Sequence, residues 1–398
     1  MQHFYSILPH HKMISKWNLL IEMRTGKISL KIIPVSYSLE HTMSHSLEQY
    51  VEQKLPADLL EHVAANRIPI RVENHAGTGF SPDLIDFSYR HTCRVVNSFR
   101  PTWHTHIDEE HKESVVLRIP SGYDYIRHFS SLVLHYLKAR ISRPQDLMTI
   151  DYDLLNDRRY PALTGLNMLD IKPGAQVVIG CCDLLIEYMK DQVFSFEEND
   201  FYACWKAQNN VIFLGCKFSF WGRLSGSIAR FLCEQFQPSE IIYFGKLGTL
   251  TAPSDIYQEI FTPSHYQMFS GLTQLGPTIK IENSFTAFNP SHRRGIHASV
   301  PTIMEETFSQ RQRLAMNGVE SIDNEIAFIA REIHRFNTRT GSRVRYSPIH
   351  YATDYLRDMH DWSLQVRHDL ARGRSPSSLH KKKIIISRIA GIIKNYLW

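Results

Sequence analysis

The chain has 398 residues, 43% hydrophobic and 21% charged, with a net charge of +5 when its 21 histidines are neutral. That length exceeds one average domain and falls short of three, and the composition is that of a globular chain with a sizeable core, not a disordered or fibrous one. The charge is too mild to point to nucleic acid, no run approaches the ~20 apolar residues of a membrane span, and the start of the chain has no basic segment followed by an apolar one, so no signal peptide is expected.

The six cysteines, Cys93, Cys181, Cys182, Cys204, Cys216 and Cys233, have neither disulfide-framework nor zinc-ligand spacing. They read as reduced thiols of a cytoplasmic protein. Along the first part of the chain, Ile28 to Tyr37 alternates like a strand, Leu47 to Leu55 has helical spacing, and residues 76–82 read as a loop. Trp103 to His111 holds three histidines and three carboxylates. His104 and His106 would share a strand face, but Asp108-Glu109-Glu110 reads as a solvated loop, and no metal site is expected. Tyr123 to Arg140 is an amphipathic helix with Ile126, Phe129, Leu132, Val133 and Tyr136 on one face, followed by Pro144.

The pattern changes after Pro173-Gly174. Gln176 to Cys182, Asn210 to Cys216 and Glu240 to Gly245 are apolar runs of the kind found in buried parallel strands, and Ser225 to Phe236 is a helix between the last two. Ligands of such sheets sit at the carboxyl ends of the strands. Here those ends are Gly180 to Asp183, Gly215 to Lys217 and Gly245 to Gly248. Thr302 to Asn317 and Ser321 to Arg335 read as helices, Arg343 to Pro348 as a late strand, and Asp354 to about Arg372 as another helix. Gly373 to Ser378 reads as a linker. It leads to a basic amphipathic segment, Lys381-Lys382-Lys383 to Trp398, which docks on protein in preference to lying on a membrane.

The ordered set from Gly226 onward resembles the nucleoside phosphorylase and nucleosidase superfamily. Residues 226–250 have its helix, Ile-Ile strand and Gly-rich turn, here Gly245-Lys-Leu-Gly-Thr249. Gly318 to Glu325 is similar to its Val-Glu-Met-Glu segment, His350 to Asp354 to its Val-Ser-Asp segment, and His297-Ala-Ser299 to a ligand-contacting stretch. Order and spacing match over roughly 190 residues. The resemblance implies an α/β, three-layer sandwich with a central mixed sheet at residues 161–372. An N-terminal α+β region of unknown role (1–160) precedes it, and the linker and basic helix (373–398) follow.

The resemblance also implies roles. Glu325 matches the glutamate that binds the ribose hydroxyls, and Asp354 the aspartate that protonates the leaving purine. Asp354 can equally cap the helix expected after it. Asn324 replaces the usual methionine beneath the sugar. Gly245, Lys246, Gly248, His297 and Ser299 fall at substrate-binding positions. The arginines that hold phosphate in phosphorylases are missing: their positions fall near Leu185-Ile186 and at Tyr243. Lys246, Lys217 and Arg223 are the cations with which a phosphate site can be rebuilt. The nucleosidase glutamate that activates water has its nearest counterpart in Asp183 or Glu187. The expected activity is hydrolysis of a purine nucleoside or related N-ribosyl compound without a cofactor, in a homo-oligomer. The rivals are a phosphorylase with a rebuilt phosphate site and a non-catalytic nucleoside sensor or scaffold.

Overall fold

A computed structural model describes residues 20–24, 27–31, 50–51, 54–74, 94–152, 156–288, 292–356 and 376–398. The expected loop at 76–82, Cys93 and most of the expected helix after Asp354 lie outside these residues.

The first sheet contains β1 (Leu20–Arg24), β2 (Lys27–Lys31), β3 (Ile70–Asn74), β4 (Thr102–Ile107), β5 (Glu113–Ile119) and β6 (Met148–Asp151), in the order β1-β2-β6-β3-β5-β4. Helices α1 (Ala57–Asn66) and α2 (Tyr123–Lys138) pack on it. The apolar stripe found in the sequence, Ile126, Phe129, Leu132 and Val133, meets Ile70, Val72, Val115 and Leu117 of the strands in one core. His104 donates to or accepts from Thr102 at 3.1 Å, and Asp108 closes a turn by accepting from the amides of Glu110 and Lys112.

After α3 (Asn156–Leu163), the second sheet begins with β7 (Gln176–Gly180), the short helix α4 (Asp183–Ile186), β8 (Val193–Glu198), β9 (Tyr202–Ala207) and β10 (Val211–Cys216). Then come α5 (Gly222–Phe236), β11 (Glu240–Thr249), β12 (Ile260–Phe261), β13 (His265–Ser270), β14 (Thr273–Gln274), β15 (Ile279–Lys280) and β16 (Ile296–Ser299). The chain continues through α6 (Phe308–Met316), β17 (Val319–Asp323), α7 (Ile326–Thr340), β18 (Arg345–Tyr355) and α8 (Pro376–Leu397). Strands β10, β7, β11 and β18 are parallel neighbours, and β17 joins β11 antiparallel, so the sheet is mixed.

Both faces of this sheet are covered, which is why its strands read as continuous apolar runs. Ile241 and Tyr243 face the core shared with α5 and α7, whereas Ile242 and Phe244 face the core shared with α8. The result is a three-layer α/β sandwich around a central mixed sheet. The C-terminal segment docks on its own chain. Ile385, Ile389, Ile393 and Leu397 form one buried stripe at four-residue spacing, and Lys394 pairs with Asp191 at 2.8 Å.

Four expectations need correction. Ser321 to Arg335 is not one helix. Val319 to Asp323 pairs with β16 and β11 as a strand, and α7 starts only at Ile326, whose amide donates to the Asp323 carboxylate at 3.0 Å. The Gly-rich segment Gly245 to Thr249 is not a turn: it continues β11 and pairs with β18 along its whole length, with a bulge between Leu247 and Gly248. Asp354 caps no helix, because it lies within β18 and pairs with Gly248. Thr302 to Asn317 breaks into a 3-10 turn, Ile303–Glu305, and α6, which Thr307 caps by accepting from the Gln310 amide at 3.3 Å.

Candidate ligand site at a break in the sheet edge

Strand β11 changes neighbours along one edge. It pairs with β7 from Glu240 to Phe244 and with β17 only at Gly248 and Thr249. Among the described residues, no strand therefore pairs with Gly245, Lys246 or Leu247 on that edge, and all three line a cavity of about 610 Å³. A crevice at the point where strand order switches is where open α/β sheets bind ligands. At the end of β7, Gly180 adopts φ +97°, and a Cβ there would lie 2.2 Å from the Phe244 carbonyl oxygen. A side chain is thus excluded where the chain turns away and opens the gap.

The cavity is walled by aromatic rings, Tyr125, Phe129, Phe218, Phe220, Trp221 and Tyr243, with His128 among them. His128 sits edge-on to Trp221 at 4.9 Å, and burial followed by the charge of Lys54 brings its pKa down to about 3. Its ring nitrogens lie 3.1 Å from the Tyr50 hydroxyl and 2.8 Å from Thr302 Oγ1.

Carboxyl groups converge from the other side: Glu306, Asp323, Glu325 and Asp354. Burial pushes the Glu325 carboxyl well above its usual range, and its hydrogen-bonded neighbour Asp323 pushes it further. Asp323 moves the other way. Burial would raise it, but His297, at 2.8 Å, and Ser299, whose hydroxyl donates to it at 2.5 Å, hold it below the ordinary value. The two directions are opposite: the surroundings favour the charged form of Asp323 and the neutral form of Glu325 beside it. The Asp354 carboxyl is raised by burial, against a 2.6 Å hydrogen bond from Thr353 and the charges of Lys246 and Arg311. Glu306 is raised well above its usual range by burial and then by Asp354.

Of the residues expected at the site, Asp354, Glu325, Asn324, Gly245, Lys246 and Gly248 are brought together around this cavity. Asn324 is committed to the scaffold: its Nδ2 donates to the Val300 carbonyl at 2.9 Å, and its own carbonyl accepts from the Gly222 amide at 2.9 Å. His297 and Ser299 do not line the cavity. They stand behind it as the partners of Asp323, because β16 places them one strand away from the gap. Asp183 is also elsewhere. It opens α4, and its carboxylate accepts from Arg94 Nε at 2.8 Å. Lys217 pairs with Glu198 at 2.8 Å, and Arg223 lies over the Tyr123 ring at 5.4 Å, so neither is among the cations of the cavity.

Sequence reasoning missed the wall contributed by the first part of the chain: Tyr50, Lys54, Asn97, Arg100, Tyr125 and His128. The apolar stripe of α2 was legible. That its Tyr125 and His128 face a cavity was not, because that depends on how α2 meets α5. There, Asp124 accepts the Arg223 amide at 2.8 Å and so fixes the start of α5.

No protein-family model matches the sequence. The chain is 28% identical over 393 residues to the oxidoreductase cns1 of Cordyceps militaris, covering 89% of this chain and 48% of that protein. It therefore spans about half the length of that curated relative. Among solved structures, it is similar to the Arabidopsis thaliana 5′-methylthioadenosine nucleosidase, with 11% identity, a TM-score of 0.41, and 57% of this chain and 97% of that one covered. A futalosine hydrolase mutant of Helicobacter pylori gives 10% identity and a TM-score of 0.39, over 56% of this chain and 99% of that one. The Neisseria meningitidis 5′-methylthioadenosine/S-adenosylhomocysteine nucleosidase, in complex with methylthio-immucillin-A, gives 12% identity and a TM-score of 0.37, over 55% and 99%.

Proposed function

We propose that the cavity binds a nucleoside or a related N-ribosyl compound and that the chain cleaves its N-glycosidic bond by hydrolysis. The observation that carries this reading is the convergence of Asp354 and the Asp323–Glu325 pair on one aromatic-walled cavity at the break in the β11 edge. Aromatic faces suit a planar base. A buried carboxyl with a raised pKa still holds a proton at a pH where an ordinary carboxyl has lost it, and this is what a general acid needs.

In this mechanism the bond between the anomeric carbon and the base nitrogen breaks, and its electron pair goes to the base. Asp354 delivers its proton to that base. The sugar becomes oxocarbenium-like, and the charge on Asp323, next to Glu325, opposes the developing positive charge. Water adds to the anomeric carbon, and its proton restores the Asp354 carboxyl. Asp183, held by Arg94, takes no part.

The test is base release, followed by chromatography, from purine and pyrimidine nucleosides with and without phosphate. Release without phosphate that disappears in Asp354→Asn supports the reading. The same incubations, followed for oxidation or reduction of an added nicotinamide cofactor, test the reaction class in the name of the Cordyceps relative. Cofactor turnover without base release would overturn the hydrolase reading.

A further inference from the structure

A second cavity, of about 240 Å³, lies between the β13–β14 hairpin and α6 and shares no lining residue with the one at the break in β11. Alternation along β13 turns Gln267 and Phe269 to one side, and antiparallel pairing sets Gln274 opposite Phe269. Across from them, Gln310, Arg313 and Leu314, spaced i, i+3 and i+4, share one face of α6. Phe269 and Leu314 belong to one apolar cluster and give the cavity its apolar wall. The turn of the hairpin is fastened twice: the Gly271 amide donates to Glu305 Oε2 at 2.7 Å, and the Gly271 carbonyl accepts from Gln310 Nε2. The fold itself therefore holds the two walls in place.

The polar groups are of two kinds. Each glutamine gives the NH2 end of its amide to a partner within the fold: Gln267 to Thr278 Oγ1 at 3.0 Å, Gln274 to the Gly276 carbonyl at 2.9 Å, and Gln310 to Gly271. Their carbonyl oxygens accept no hydrogen bond from the described residues. Gln310 is the clearest case. The residue is 1% exposed, its Oε1 is shut off from solvent without a donor, and exchanging the two ends of the amide would set oxygen against the Gly271 oxygen. The second kind is Arg313. Its Nη1 donates to the Leu272 carbonyl at 3.3 Å, and among the described residues no carboxylate pairs with it.

The cavity thus offers hydrogen-bond acceptors, one cation and an apolar wall, with no carboxylate in its lining. A complementary ligand carries N–H donors for the amide oxygens, a carboxylate for the guanidinium and a short apolar body. An α-amino acid has these three parts on one carbon. The volume is below the roughly 300 Å³ at which pockets for drug-sized ligands begin, and it suits a molecule of that smaller size.

We propose that this cavity binds a free α-amino acid, with its carboxylate on Arg313, its ammonium among the glutamine oxygens and its side chain against Phe269 and Leu314. This site is independent of the chemistry at the β11 cavity.

The test is calorimetric titration of the full chain with L-alanine, L-leucine, leucinamide and N-acetyl-leucine. Wild type, Arg313→Gln, Gln310→Met and Asp354→Asn are compared, with thermal unfolding to confirm that each variant is folded. Leucinamide lacks the carboxylate and N-acetyl-leucine lacks the ammonium, so each should bind wild type about tenfold or more weakly than leucine. Arg313→Gln should weaken leucine about tenfold and leave leucinamide unchanged, so that the two are no longer distinguished. Arg313 is exposed, so this variant decides the matter even where Gln310→Met does not fold. Folded Gln310→Met should weaken leucine and leucinamide alike. A wild type that binds neither alanine nor leucine at millimolar concentration overturns the proposal. So does equal binding of leucine and leucinamide by wild type, or leucine affinity unaltered in Arg313→Gln. Leucine binding lost in Asp354→Asn and kept in Arg313→Gln would put the amino acid in the β11 cavity and overturn this site.

Discussion

His297 Nε2 lies 2.8 Å from Asp323 Oδ1, and neither side chain is open to solvent. The other ring nitrogen lies 2.9 Å from Ser321 Oγ, so the imidazole is held at both ends. This contact favours the ionised form of Asp323, and the charge of Asp323 in turn favours the neutral form of Glu325. Removing one partner of a buried charged contact leaves the other uncompensated. His297→Ala is expected to lower stability by about 3–5 kcal/mol in denaturant unfolding near neutral pH. The folded-state pKa of Asp323 is depressed, so its contribution is present above the unfolded value of about 4 and is lost as pH falls through the folded one. The cost of His297→Ala should therefore shrink in acid. An equal cost at every pH would mean that the imidazole only fills space.

Glu325 has the opposite sign. Its folded pKa is raised, so the folded chain binds the extra proton, and stability falls as pH rises from about 4.3 toward the folded value. Glu325→Gln cannot ionise and keeps a donor for Asp323. Its unfolding midpoint should therefore exceed that of wild type in mildly alkaline buffer, with the difference closing in acid. A variant less stable than wild type at alkaline pH would show that Glu325 is ionised in the fold.

If Asp354 is the general acid, Asp354→Asn should lower kcat by about 100-fold or more, with a smaller effect on KM. Burial raises the Asp354 pKa, so the acid form is lost as pH rises through that value. Wild-type kcat for base release should fall on that limb, and the residual rate of Asp354→Asn should be flat there. An unaltered alkaline limb in the variant would assign the acid to another group.

The strands of the second sheet were legible because burial on both faces makes them continuous apolar runs, as in Gln176 to Ile179 and Glu240 to Phe244. The site was legible only in part. Asp354, Glu325 and Lys246 could be placed from the order of motifs, but the gap that joins them could not. It exists because β17 reaches β11 only at Gly248 and Thr249, a pairing between residues more than seventy positions apart. Ser321 to Asp323 was merged into a helix because Ile322, Ile326 and Ile329 share helical spacing. The strand prevails there because it pairs on both edges. Asp183 was misplaced for a simpler reason: it follows an apolar strand as a site carboxylate would, and its partner Arg94 is 89 residues away. Lys54 and Arg100 belong to no motif, and only tertiary packing brings them to the cavity.

The C-terminal helix is tested through its buried stripe. Ile389 is fully buried against the sheet face that carries Ile242 and Phe244. Truncating it to alanine removes apolar area and leaves a cavity that the rigid sheet cannot close, at a cost of about 2–5 kcal/mol. Ile384, on the other side of the same helix, is 47% exposed, and Ile384→Ala should change stability by less than about 0.5 kcal/mol. If α8 is an integral layer of the sandwich, Ile389→Ala lowers the single unfolding midpoint of the second sheet, whereas a helix that merely rests on the surface detaches without moving it. Hydrogen exchange separates the two outcomes: the amides of β11 and β18 lose protection together with those of α8 in the first case and keep it in the second.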